Sequence, residues 1–316
     1  MISKNDTTKG ILFIIIGMAI FSIQDALIKF IFEYTSLYEL YFGRTLIALI
    51  LLLLFMCFKK EKIILKTYYP FLTTLRVVLF FFGFSFFYIS LTYMSLAMAN
   101  ALFFSSPFFV SIFAKFFLKE KIGIRRWSAI FVGFCGVFIV LDPDFNNFKI
   151  TDLAPVACAL CYSGSMVILK ITGDKDNVYT QLIHLYIGAI IISIIFFIFT
   201  ADGKFNTFSN PSMQFIFREW FTNPQKAWPI IVIMGFGASV SFALVFTAYN
   251  LASPSTISLF EYSLIIYSII TGYLIFDETP DTRTLFGAFI IISAGIYIYL
   301  RERIKDQLIV TENPIR

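Results

Sequence analysis

Ser90–Val140 reads SLTYMSLAMANALFFSSPFFVSIFAKFFLKEKIGIRRWSAIFVGFCGVFIV. It aligns without a gap on Ala248–Ile298, AYNLASPSTISLFEYSLIIYSIITGYLIFDETPDTRTLFGAFIIISAGIYI, at an offset of 158 residues. Ser95 meets Ser253, Ser105 meets Ser263, Ile112 meets Ile270, Glu120 meets Glu278, Arg125 meets Arg283 and Phe131 meets Phe289. Each copy is an apolar stretch, a short charged turn and a second apolar stretch rich in small residues. Earlier in the chain an offset of 141 places Ser22 on Ser163, Lys29 on Lys170 and Tyr38 on Tyr179. An internal repeat of this length means two structural halves, here 10–142 and 152–302 within a single domain spanning 1–316.

The composition says what the halves are made of. Of 316 residues, 59% are hydrophobic and only 14% charged, against roughly 45–50% and about 25% in soluble domains. Soluble enzymes, disordered chains and disulfide scaffolds are excluded. The net charge of +5 is scattered and forms no basic stripe, which argues against nucleic acid. The 41 phenylalanines suit a large surface facing lipid and neighbouring helices, so membrane lipid is the expected surroundings.

A membrane-crossing helix needs about 20 mainly apolar residues. Ten stretches qualify: 10–31, 37–58, 70–92, 97–118, 126–142, 152–171, 178–199, 229–250, 255–276 and 284–300. The fold class expected is therefore all-α, with ten transmembrane helices as two inverted five-helix repeats. The inversion follows from parity, because a second unit of five spans starts on the opposite side from the first. The polar stretch Thr200–Trp228 reads as a surface loop with a short interfacial helix near Met213–Phe221. Counting Lys and Arg outside the spans places sixteen on one side and six on the other. The richer side is the cytoplasm, so both termini are expected there. Inverted repeats of this kind are typical of secondary transporters, whose sites lie near the bilayer midplane between the repeats.

The chain resembles the drug/metabolite transporter superfamily in its EamA-type, ten-span form. The likeness is carried by Leu118-Lys119-Glu120-Lys121, Arg125-Arg126-Trp127 and Gly133-Phe-Cys-Gly136. It is also carried by the second copy, Ile275-Phe276-Asp277-Glu278 with Gly287 and Gly295, and by Arg44, Lys29 and Lys170. Phe260-Glu261-Tyr262 is similar to a subgroup that includes riboflavin and S-adenosylmethionine uptake carriers. The resemblance implies a bacterial cytoplasmic membrane protein built round a central cavity.

Ionisable groups inside spans cost about 2.5–3.5 kcal/mol each on insertion scales, so they face partners or cavities. Glu261 stands between Phe260 and Tyr262 in the ninth span. With Ser255, Ser258 and Tyr262 it shares one helical face, where a carboxylate can bind a cationic group or exchange a proton. An ion pair with Arg76 or Arg44 is the structural alternative. Either arginine can instead hold an acidic group of a substrate. Asp25 and Lys29 are spaced for an in-helix ion pair, while Asp25 with Gln24 can line a cavity. Asn100 begins a polar face that runs through Pro107 and Ser111 to Lys115. The candidate substrate-binding set is Glu261, Tyr262, Arg76, Arg44, Asp25, Gln24, Asn100 and Ser258. The remaining tyrosines, Tyr162 and Tyr249 among them, read as packing or interface anchors.

One histidine, His184, and four cysteines, all inside spans, give no metal site. No phosphate-binding loop is present. No cofactor and no catalytic residue are expected, and the protein is expected not to be an enzyme. The mixed buried charges and abundant rings point to a small zwitterionic or amphoteric organic metabolite, nucleoside-like or amino-acid-like, moved by alternating access. A proton or an exchanged solute is the coupling partner in view, and a homodimer is admitted. The rivals are an exporter of amino acids or drug-like metabolites, a passive channel, and a membrane-embedded scaffold or enzyme acting on lipid-linked substrates.

Overall fold

A computed structural model describes residues 4–120, 123–141 and 149–311, which are helical with no strand among them. The helices are α1 (Lys4–Ile31), α2 (Leu37–Lys59), α3 (Pro70–Ser90), α4 (Leu96–Phe103), α5 (Ser106–Phe117), α6 (Ile124–Leu141), α7 (Ala154–Thr172), α8 (Val178–Thr200), α9 (Pro211–Phe217), α10 (Pro224–Leu251), α11 (Pro254–Ile257), α12 (Ser263–Phe276) and α13 (Thr282–Thr311). Two 3-10 turns, Ile150–Leu153 and Ser258–Tyr262, lead into α7 and α12. Among the described residues, eight stretches are long and apolar enough to cross a membrane. The expected fifth and tenth spans fall in α6 and α13, whose strongly apolar parts, Trp127–Gly136 and Thr282–Ala294, are shorter. The expected interfacial helix is α9, which starts at Pro211 rather than Met213.

The radial distribution of side chains is reversed from that of a soluble protein. Arg44, Arg76, Asp25 and Glu261 are buried, whereas Phe58, Phe71, Phe131 and Phe289 are exposed. Without water outside, apolar side chains can face outward freely, and polar ones must find partners within the bundle.

The repeated stretches share local geometry. Ser36 caps α2 by accepting from the N–H of Glu39 at 3.2 Å, and Asn177 caps α8 by accepting from that of Thr180 at 2.8 Å. Both helices are 23 residues long, and their first residues, Leu37 and Val178, are 141 apart. α5 ends in a left-handed residue, Lys119 (φ 56°), and α12 in another, Asp277 (φ 53°). The next N–H in each case, Glu120 and Glu278, donates to the carbonyl six residues back, Ala114 and Gly272, at 3.2 Å. This left-handed cap satisfies carbonyls that the helix end leaves open. α3 packs on α7 and α10 on α1, while α2 packs on α8 and α6 on α13. A Cβ at Gly136 would come within 2.9 Å of the Gly287 carbonyl, so the crossing of α6 and α13 needs a bare backbone there.

Candidate functional site

Two spans are broken at corresponding depths. The fourth divides into α4 and α5 at Phe104–Ser105, because Pro107 has no N–H to continue the ladder and settles instead into the first turn of α5. The ninth divides into α11 and α12 through the 3-10 turn Ser258–Tyr262. The expectation of one continuous helix over 255–276 is corrected here. Spacing of three residues per turn replaces the helical face on which Ser258, Glu261 and Tyr262 were grouped; the Ser255 side chain lies outside the described residues. α12 packs on α4, and α11 and the 3-10 turn pack on α5, so the breaks meet.

Glu261 sits in that junction, fully buried. Its Oε1 accepts hydrogen bonds from the hydroxyls of Tyr162 at 2.5 Å and Tyr249 at 2.6 Å. Its Oε2 has no hydrogen-bond partner among the described residues, and the Ser106 hydroxyl, likewise without one, lies beside the carboxyl. The ion pair with Arg76 or Arg44 does not form. Two tyrosines read in the sequence as packing residues take that place, Tyr162 from α7 and Tyr249 from α10. The offset of 141 pairs Tyr162 with Phe21, and both line one cavity; that pairing was the one signal available.

That cavity adjoins Glu261 through Tyr162. It is lined by Asp25, Asn100, Met18, Leu264 and the rings of Phe21, Phe84, Phe87, Phe103 and Tyr162. Its open space is about 20 Å³, room for one water. Asn100 Nδ2 donates to the Leu96 carbonyl at 3.1 Å, while its Oδ1 is unpartnered among the described residues.

Across a wall of rings lies a second, basic cavity. It is lined by Arg44, Tyr41, Thr45, Phe80, Tyr186 and Phe242, among others. Arg44 Nη1 donates to the Tyr88 hydroxyl at 2.8 Å, and the guanidinium lies 5.3 Å from the ring centroids of both Tyr41 and Tyr88. Its Nε has no partner among the described residues. Phe80 and Phe84 (4.6 Å between centroids), Phe80 and Phe242 (5.3 Å) and Phe21 and Phe242 (4.9 Å) make the wall. Asp25 and Arg44 stand on opposite sides of it.

The pattern of the EamA-like transporter family matches residues 8–142 and again 149–301. The chain belongs to the EamA-like transporter family. It is 29% identical over 303 residues to an S-adenosylmethionine uptake transporter of Rickettsia bellii, covering 95% of this chain and 97% of the relative. It is 25% identical over 208 residues to a riboflavin transporter of Vibrio cholerae, covering 66% and 63%. It is 22% identical over 293 residues to a pseudopaline exporter of Pseudomonas aeruginosa, covering 91% and 94%. A solved crystal structure superposes with a TM-score of 0.70 at 13% identity, covering 95% of this chain and 99% of the other, which shows a shared fold. As a member of the EamA-like family the protein is an integral membrane transporter of small molecules and not an enzyme.

The other candidate residues of this EamA-like transporter divide as follows. Gln24 donates to the Ser241 hydroxyl at 3.1 Å and leaves its Oε1 unpartnered among the described residues. Arg76 donates to the Gln181 carbonyl at 2.6 Å under the Phe246 ring, away from both cavities. Tyr262 packs on Phe104 at 5.4 Å and lines a separate groove with Ile15 and Ile292. Ser258 is buried in the 3-10 turn. Lys29 does not pair with Asp25, four residues back: its Nζ donates to the Met94 carbonyl at 2.8 Å and pairs with Glu278. The matching lysine, Lys170, donates to the carbonyls of Asn250 and Ala252 at 2.9 and 3.0 Å and feels Glu120 electrostatically. Met94 and Ala252, like Glu120 and Glu278, are related by the offset of 158.

Proposed function

We propose that this protein is a secondary transporter that brings a small zwitterionic metabolite across the cytoplasmic membrane, S-adenosylmethionine foremost. That solute joins a nucleoside to an amino acid and carries both signs of charge. The relatives named as its uptake transporters support the reading, as they align over nearly the whole chain. The reading takes ten spans in two inverted halves, 10–142 and 152–302, with α6 and α13 as the fifth and tenth and both termini in the cytoplasm. The halves rock about the junction of the two broken spans and expose it to each side in turn. A proton or an exchanged solute couples the movement.

One observation carries the reading. A buried carboxyl, Glu261, stands where the two broken helices meet, with one oxygen held by two tyrosines and the other beside the Ser106 hydroxyl without a well-formed bond among the described residues. A packing residue would have both oxygens satisfied, since an unmade buried hydrogen bond costs about 1–3 kcal/mol. Glu261, Gln24 and Asn100 offer acceptors, and Asp25 a cavity-lining carboxyl, to the cationic end of a substrate, and Arg44 offers a donor to its acidic end.

Uptake of radiolabelled S-adenosylmethionine into proteoliposomes tests this, with counterflow separating a carrier from a channel. Folded Glu261→Gln protein that transports normally, with an unchanged pH profile, would sink the role of Glu261. A second reading, export, is favoured by the pseudopaline exporter among the relatives; accumulation only in inside-out vesicles would select it.

A further inference from the structure

We infer that the cavity at Asp25 is a subsite for an organic cation without hydrogen-bond donors, a sulfonium or its quaternary ammonium equivalent, and that it sets the specificity of the carrier. The inference rests on the substrate reading above and names the part of the substrate that Asp25 reads.

Five rings surround this one carboxyl: Phe21, Phe84, Phe87, Phe103 and Tyr162. They touch one another edge-on or tilted, with Phe103 at 5.3 Å and Phe84 at 6.0 Å from Tyr162. A ring face attracts a cation through its quadrupole. The type of cation follows from the polar groups. A primary ammonium brings three N–H donors, each of which must be met once water is removed. Among the described residues the cavity's polar groups are the Asp25 carboxyl, the Asn100 amide and the Tyr162 hydroxyl, which is given to Glu261, and the rest of the lining is ring and aliphatic carbon. A methylsulfonium has charge and apolar methyl and methylene groups but no donor, so it asks only for rings and a carboxylate.

The neighbouring cavity supplies the rest. Arg44, with its Nε unpartnered among the described residues, lies beyond the Phe80–Phe84 wall from Asp25. A solute with a sulfonium a short aliphatic chain away from a carboxylate spans the two. The wall joins α3 to α10 through Phe80 and Phe242, and Phe84 and Phe242 are 158 residues apart like the other matched pairs. At about 20 Å³ the Asp25 cavity is closed down, and the Phe84 and Phe87 rings must turn to admit a methylated sulfur.

The test compares S-adenosylmethionine with S-adenosylhomocysteine, which has the same skeleton but a neutral thioether. Equilibrium binding is measured on the purified full-length protein, its fold checked by thermal unfolding. The wild type should prefer the sulfonium by about tenfold. In Asp25→Asn the preference should fall to near unity while affinity for the thioether changes less than about twofold. If Asp25→Asn does not fold, Phe87→Leu should still lower the preference several-fold. Equal binding of the two ligands by the wild type, or a preference that survives Asp25→Asn, overturns the inference. Trimethylsulfonium alone separates this failure from that of the substrate reading. If it raises the melting temperature of the wild type but not of Asp25→Asn while S-adenosylmethionine fails to bind, the cation subsite stands and the substrate reading falls. If neither ligand binds, the subsite falls too.

Discussion

Lys29 of α1 and Glu278, two residues past the end of α12, are joined across the sequence by an ion pair, and the same lysine donates to the Met94 carbonyl at 2.8 Å. The other Glu278 oxygen accepts from the Leu96 N–H at 3.1 Å. Three elements are thus tied at one mouth of the bundle. Lys170 ties the corresponding elements of the other repeated stretch, with carbonyl contacts and Glu120 as its electrostatic neighbour.

In the inverted arrangement proposed above, with both termini in the cytoplasm, breaking the two ties should move the carrier in opposite directions. Lys29→Gln should increase labelling of a cysteine at position 94 by an impermeant thiol reagent applied from outside, several-fold over the parent. Lys170→Gln should decrease it. Labelling that moves the same way in both variants would refute the pairing of the ties.

The hydroxyls on Glu261 act on one oxygen atom. Tyr162→Phe or Tyr249→Phe should each cost about 1–3 kcal/mol, the penalty of under-satisfying a buried acceptor. The double variant should lose more than the sum, because the first loss leaves the second bond as the carboxyl's remaining tie. Thermal unfolding in detergent reports this as a double-mutant cycle. Strict additivity would mean the two bonds act independently.

Two glycines of α6 should respond differently to the same methyl group. At Gly136 a Cβ meets Ile291 at 2.8 Å and the Gly287 carbonyl at 2.9 Å, while at Gly133 its nearest contacts are at 3.7 Å. Gly136→Ala should destabilise by about 1–3 kcal/mol through overpacking. Gly133→Ala should be tolerated. Comparing their melting temperatures decides it.

Asp281 accepts from the Thr284 N–H at 2.8 Å at the start of α13, and bonds to the Thr284 side chain and backbone hold its carboxyl below the usual carboxylate range. The sign of the effect follows: the stabilisation is full above the ordinary carboxylate pKa and is lost as pH falls through the depressed value. Asp281→Ala should cost about 1 kcal/mol at neutral pH. The difference from wild type should shrink in acid. A gap constant from pH 7 to pH 3 would contradict the cap.

The spans and the unusual residue Glu261 were legible because both are contrasts. Long apolar runs stand out from turns, and a carboxylate stands out within Phe260-Glu261-Tyr262. Tyr162 and Tyr249 were not legible, since sixteen tyrosines in an apolar chain give no contrast and their partner is distant in sequence. Asp25 and Lys29 misled for a related reason. Their spacing satisfies a local rule worth about 0.2–0.5 kcal/mol, and a distant carboxylate plus a carbonyl outbids it. Pro107 announced the first helix break. The second, over Ser258–Tyr262, has no proline or glycine inside it; the turn packs against α1, α5 and α13, contacts distant in sequence.

Both broken spans bend at the depth where Glu261 and the Asp25 cavity lie. A rigid scaffold would have to relay the arrival of cargo to a distant moving part, through some chain of intermediaries. On the proposed function the joint and the cargo share one address. Loading the carrier and flexing it become a single mechanical event, and a substitution there cannot alter the taste for a solute without also altering the stiffness of the machine.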